Sequence, residues 1–314
     1  MSEGKKNHRM KQLIAAVIGT VITWALNNMV GVDAVLASAS VALCGGLVLK
    51  KYHGIFMAGT FAGMSGLGAV PGWSWACMVG VIVFLLWVAT EKIMAGVGGK
   101  YGWTACWSGF GAQFIIIPIR ISMGLATASA WNNVFFNTGA FNAWFIAQPW
   151  NIPLCIILSC IGAVATIWLR NKIITPLWGI ENTTVASALV GLFGFLIIWT
   201  PMATFEIFLT GSLSPEGPTL TIAPKLGAFV YMGSFAGMAS KKRIRWEGKS
   251  DILAFAIVGI ITGCIFFIAR MILPYGGLYG WTAAVGVMTY DFVFAKLILR
   301  EEKHDLRTFA AIQK

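Results

Sequence analysis

Three short motifs occur twice in this chain, in the same order. Ala37-Ser38-Ala39 returns as Ala186-Ser187-Ala188, at a shift of 149 residues. Phe61-Ala62-Gly63-Met64 returns as Phe235-Ala236-Gly237-Met238, at a shift of 174. Tyr101-Gly102-Trp103-Thr104-Ala105 returns as Tyr279-Gly280-Trp281-Thr282-Ala283, at a shift of 178. A duplicated unit folds as two like halves, so any account of one copy must also fit the other. The shift grows by 25 between the first two motifs, which marks an insertion in the second copy.

The motifs lie in or beside long apolar stretches. The 314 residues are 58% hydrophobic and only 11% charged, against about 25% charged in ordinary soluble domains. Several uninterrupted stretches approach the ~20 residues that cross a bilayer's hydrocarbon. The expected fold is therefore an all-α polytopic membrane protein with the lipid bilayer as its partner. The basic excess of +11 sits in short loops between apolar stretches, which is a topology signal and excludes a nucleic-acid partner. The stretch after the short basic start has no small-residue cleavage site and is followed by many more spans, so it reads as a first helix, not a removable leader. Six cysteines, Cys44, Cys77, Cys106, Cys155, Cys160 and Cys264, lie in or at the edge of apolar stretches without a Cys-x-x-Cys pair. They suggest neither a disulfide framework nor a metal site. With no nucleophile–base set, phosphate loop or cofactor motif, an enzyme is not expected.

Ten spans can be drawn. The first copy gives 11–30, 34–49, 54–70, 73–91 and 102–119; the second gives 151–169, 183–199, 226–240, 251–273 and 279–299. The corresponding organisation is a terminus over 1–10, a first five-helix repeat over 11–120 and a loop over 121–150. A second repeat follows over 151–300, with an insertion at 200–225 rich in glycine, serine and proline, and then a tail over 301–314. With the N-terminus in the cytoplasm, only Arg120, Lys225 and Arg270 of the 23 basic residues fall on the outer side. The positive-inside rule asks for that bias. It places both termini in the cytoplasm and both long loops outside, as expected for a multi-pass protein of a cell's inner membrane. Five crossings per copy also invert the second copy relative to the first. Inverted repeats are a usual build of transporters, with the solute site where the copies meet.

The third span of each copy is short and rich in glycine: Gly54, Gly59, Gly63, Gly66 and Gly68 precede Pro71, and 226–240 is only 15 residues. Such segments at matching positions point to a pathway. They either cross, broken or tilted, or re-enter from one face. Re-entry would make the repeats parallel and scatter the basic residues across both sides, so the charge pattern favours crossing. Within them, Thr60, Phe61 and Gly63 pair with Ser234, Phe235 and Gly237. The glycines allow either a pathway lining or close helix packing. Thr60 and Ser234 put a hydroxyl at one repeat position.

Other paired positions extend the candidate set. Thr104 and Thr282 follow the tryptophans of the Tyr-Gly-Trp-Thr-Ala motif, which reads as an interfacial anchor or as the two mouths of a pathway. Gln113 and Asp291 share a position inside the fifth span. A carboxylate there is costly and must face protein or water, so Asp291 is the candidate for handling a proton or cation, or else pairs with Lys296 one turn on. Lys92 and Arg270 share a position near opposite membrane faces, either attracting anions or snorkelling to headgroups. Asp33 and Asn182 can cap the second helices, with Ser38 and Ser187 one to two turns in. The 121–150 loop, with Trp131, Asn132, Asn133, Phe135, Phe136 and Asn137, suits a lid or a contact with another copy or subunit.

The stretch Gly276-Gly277-Leu278-Tyr279-Gly280-Trp281-Thr282-Ala283-Ala284-Val285-Gly286 resembles the Gly-Leu-Tyr-Gly-Phe-Asn-Gly…Val-Gly stretch of urea transporters, with Thr282 and Ala283 in place of Asn and Gly. Those proteins are likewise two inverted halves of about five spans. The resemblance implies a narrow continuous pore for a small neutral solute, with glycine-rich segments at its centre. Three functions are therefore expected in order: a channel or facilitator for a small polar solute or ion, a proton- or sodium-coupled transporter using Asp291, or a non-transporting subunit that docks a partner through its outer loops.

Overall fold

An apolar run folds as helix in a membrane because hydrocarbon offers no partner to an open peptide group. The computed structural model describes residues 3–126, 151–179, 182–210, 218–244, 251–269 and 278–293, and contains no strand among them. The first copy comprises α1 (Glu3–Asn28), α2 (Ala34–Val48), α3 (His53–Gly63), α4 (Trp73–Thr90) and α5 (Lys100–Ser122). The second comprises α6 (Asn151–Leu169), α7 (Thr183–Thr210), α8 (Pro218–Gly237), α9 (Asp251–Ala269) and α10 (Leu278–Thr289). Five stretches are long and apolar enough to cross a membrane: Lys6–Asn28, Trp73–Thr90, Asn151–Trp178, Thr183–Phe205 and Asp251–Ile268. Ile14, Ile18 and Ile22 on α1, and Ile157 and Ile161 on α6, point outward. An outward apolar stripe suits lipid contact.

Several expected boundaries move. The 54–70 span ends at Gly63, because the chain turns back between Ser65 and Val70, with Val70 N donating to Gly66 O at 2.9 Å. Its 11 residues make a rod of about 16 Å, about half of the hydrocarbon thickness. The 200–225 loop is also corrected. Helix α7 runs on to Thr210 with Pro201 inside it, and α8 already begins at Pro218. Proline ends helices in water but is tolerated in apolar surroundings, where neighbouring groups take up the freed carbonyl. Helix α6 does not stop at 169 either: a π turn over Arg170–Ile174 carries it into Thr175–Trp178. Residues 127–150 lie outside the described residues.

The second helices begin as expected. Asp33 accepts hydrogen bonds from the amides of Val35 (2.8 Å) and Leu36 (3.3 Å). Burial pushes its carboxyl above the usual value, and these two amides pull it back. Asn182 accepts from Val185 N at 3.1 Å and donates to Gly46 O of the first copy at 3.0 Å.

Corresponding helices choose corresponding neighbours. Helix α1 packs on α2, α3 and α4; α6 packs on α7, α8 and α9. Helices α2 and α3 pack together, as do α7 and α8; α5 touches α3 and α4, and α10 touches α8 and α9. Between the copies α2 meets α7 and α5 meets α10. Glycine sets the closest of these approaches. A side chain at Gly59 would strike the Ala16 carbonyl, and one at Gly233 the Ser159 carbonyl. At Gly63 and Gly237 it would strike Thr20–Thr23 and Ala163–Thr166. Gly102 and Gly280, from the two Tyr-Gly-Trp-Thr-Ala motifs, face each other backbone to backbone where α5 crosses α10. Among lipid tails, close packing supplies the attraction that exclusion of water supplies in solution.

Candidate functional site

The third helices meet at the centre through their repeated phenylalanines. The rings of Phe61 and Phe235 lie 4.5 Å apart between centroids, and Tyr231 packs edge-on to both, at 5.8 and 4.4 Å. All three residues are buried. Next to each phenylalanine in the chain, the paired hydroxyls form matching chains. Ser38 donates to Thr60 (3.2 Å), which donates to the Met57 carbonyl (2.9 Å). Ser187 and Ser234 are 2.7 Å apart, and Ser234 donates to the Tyr231 carbonyl at 2.6 Å. In both copies the third-helix hydroxyl gives its proton to its own helix, three residues back. Phe61, Phe235, Ser38, Thr60, Ser187 and Ser234 are thus brought together, whereas Gly63 and Gly237 serve the packing against α1 and α6.

Thr104 and Thr282 are fully buried and donate to the carbonyls of Lys100 (3.0 Å) and Leu278 (3.2 Å) one turn back. They sit beside the Gly102–Gly280 crossing, not at an open mouth. Gln113 and Asp291 make matching contacts. Gln113 Nε2 donates to the Ala69 carbonyl at 2.9 Å, tying α5 to the turn after α3. Asp291 Oδ2 accepts from Arg243 Nη1 at 2.8 Å, tying the end of α10 to the segment after α8. Residues 69 and 243 are themselves related by the 174-residue shift. Lys296, the other partner considered for Asp291, and Arg270 lie outside the described residues. Lys92 is exposed.

One end of the molecule holds a polar cavity of about 350 Å³. Trp87, Glu91 and the 94–100 segment of the first copy form one wall; Arg170, Thr183, Met238 and Ser240 of the second copy form the other. Met238, one turn from Phe235, also lines it. Lys100, ahead of the 102–119 apolar stretch, is buried with its ammonium 4.6 Å over the Trp87 ring and donating to the Glu91 carbonyl at 3.2 Å. Loss of hydration pushes this ammonium down to about 8, and the Glu91 charge only partly offsets that. Arg170 is wholly buried and donates to the Ala239 carbonyl at 3.0 Å. Arg243 Nε reaches the Ala95 carbonyl (3.2 Å), and Ser240 N the Gly96 carbonyl (3.0 Å), closing the second copy against the 94–100 segment.

Lys100, Arg170 and Arg243 were legible only as topology charges. For Arg170 a signal existed: the apolar run continues past it through Ile173, Ile174, Leu177 and Trp178, so the arginine interrupts one long helix and does not begin a loop. Tyr231 carried no signal, because its counterpart by the 174-residue shift is Met57.

The described residues hold no group of three His, Cys, Asp or Glu side chains able to share a metal ion. No protein-family model matches the chain, and neither a curated protein nor a solved structure is significantly similar to it.

Proposed function

We propose that the chain is a membrane channel or facilitator that moves a small polar solute or ion along the seam between two inverted five-helix repeats, ten helices in all. The observation that carries this reading is the meeting of Phe61 and Phe235 at 4.5 Å, flanked by the matching hydroxyl pairs. Equivalent residues of both copies converge on one point, as they must if a pathway follows the seam. The polar cavity is lined by both copies, Met238 among them, one turn from Phe235; in this reading it is the vestibule to that point. The phenylalanine pair is then the constriction between the vestibule and the far side. The general plan is the one that the resemblance to urea transporters implies, set in a cell's inner membrane with both termini in the cytoplasm.

Purified protein in liposomes tests it. Flux of urea, ammonium, chloride, acetate or potassium above that of empty vesicles is expected, and Phe61→Ala with Phe235→Ala should raise it by removing the constriction. No flux of any of the five, in wild type or variant, would remove the reading.

Coupled transport through Asp291 gains less support. A proton or sodium carrier must release its charge partner in each cycle, yet Asp291 is held by Arg243 at 2.8 Å with both side chains buried. Wild-type uptake driven by an imposed proton or sodium gradient, and lost in Asp291→Asn, would restore it.

A further inference from the structure

The two copies fasten the ends of their third helices at the same positions but with different chemistry. After α3 the fasteners are neutral: Asn27 to the Met64 carbonyl (3.3 Å), Asn28 to the Ser65 carbonyl (3.1 Å) and Gln113 to the Ala69 carbonyl. After α8 they are ions: Arg170 to the Ala239 carbonyl and Arg243 to Asp291. Lys100 follows the same rule, since the 178-residue shift matches it to Leu278. One end of a nearly symmetric core has therefore acquired charge, and the polar cavity is at that end.

Among the described residues, the cations near the cavity differ in their partners. Arg243 is matched by Asp291. The Glu91 carboxylate turns to Arg9 at 2.9 Å and is about half exposed. Lys100, only 8% exposed, has no carboxylate within ion-pair distance among the described residues. Its contacts are a backbone carbonyl and the Trp87 ring. Buried charges are ordinarily paired, because removal from water is costly without a counter-charge. Arg170 also lines the cavity, donating to the Ala239 carbonyl and lying over the Phe255 ring.

We propose that this cavity binds a small monovalent anion, carboxylate or inorganic, against the Lys100 ammonium. The volume accommodates an acetate-sized ion with several waters, each water occupying about 30 Å³. Burial weakens the ammonium's hold on its proton, and an anion at this position restores it. The site makes no demand that the ion be carried across the membrane, so binding and flux are separable.

Calorimetric titration of the full-length protein in detergent, at pH 7 in a gluconate buffer, reads binding directly. Sodium acetate, nitrate and chloride are the probes. Saturable binding at about millimolar concentration is expected for at least one, and the stronger of acetate and nitrate separates the carboxylate from the inorganic source. Lys100→Met should weaken it about tenfold, whereas Lys92→Met, at an exposed lysine, should leave it unchanged. If Lys100→Met fails to fold, Glu91→Gln replaces it: losing the rim acid should tighten binding by about threefold. No saturable heat from any probe, equal loss in Lys92→Met, or unchanged affinity in both cavity variants would overturn the proposal. Binding without flux would leave the anion site and remove the transport reading; flux without binding would do the reverse.

Discussion

At the residue scale, the Gln113 and Asp291 positions show how one fastening task is met by two chemistries. The neutral amide ends on a carbonyl, so its loss costs one hydrogen bond. The carboxylate ends on a buried guanidinium, so its loss strands a charge. Asp291→Asn and Arg243→Gln should each cost about 3 kcal/mol, whereas Gln113→Met should cost about 1 kcal/mol. Thermal unfolding in detergent checks the order. In a double-mutant cycle, the combined Asp291→Asn, Arg243→Gln protein should lose clearly less than the sum of the two single losses. Additive losses would deny that the pair acts as one unit. Lys100 makes a pH prediction of the same kind. Its charge is present below about 8 and lost above it, so anion binding should weaken as pH rises from 7 to 9. Glu91, Arg170 and Tyr101 share the cavity, and Arg9 bridges Glu91. Burial pushes the Tyr101 hydroxyl up, away from that range, whereas Lys100 is pushed down into it. Equal affinity at both pH values would contradict the assignment.

At the level of elements, the glycines of the Phe-Ala-Gly-Met motifs are there to let α3 and α8 approach α1 and α6. Gly59→Val or Gly233→Val should cost about 1–3 kcal/mol through overpacking. Gly111, on α5 with open space beside it, is the contrast: Gly111→Ala should stabilise the protein by about 0.5–1 kcal/mol. Melting temperatures distinguish the two outcomes. The all-helical class was legible in the sequence, because an apolar run bounded by charges has few other ways to fold in lipid. The helix ends were poorly legible. Pro201 and the glycine- and proline-rich residues after it had every mark of a loop, but α7 continues past Pro201 to Thr210. The glycines of α3 marked close packing, yet nothing in their spacing showed that the helix would stop at Gly63. Repeat position marked Ser38, Thr60, Ser187 and Ser234 as hydroxyls shared by the two copies, but not that Ser38 meets Thr60 and Ser187 meets Ser234. The cavity was hidden, because its charged walls come from Lys100 and Arg170, which have neutral counterparts and so never appear as a pair.

At the level of the whole molecule, near symmetry and local asymmetry divide the work. Shared glycines and phenylalanines build a core in which each copy repeats the other's contacts. The charged end departs from that pattern at Lys100, Arg170, Arg243 and Asp291, giving the seam a polarity that a perfect duplicate would lack. That polarity has a meaning across a membrane only if equivalent residues of the two copies face opposite sides. Met29 and Lys172, just beyond the close-packed parts of α1 and α6, are both exposed and differ by the 143 residues that relate Gly19 to Gly162. Met29→Cys and Lys172→Cys, made separately in a chain freed of its six cysteines, can be labelled in sealed vesicles with a membrane-impermeant thiol reagent. The inverted arrangement predicts that Met29→Cys reacts only from outside and Lys172→Cys only from the cytoplasmic face. Labelling of both from one side would make the repeats parallel and contradict the seam as a pathway between inverted halves.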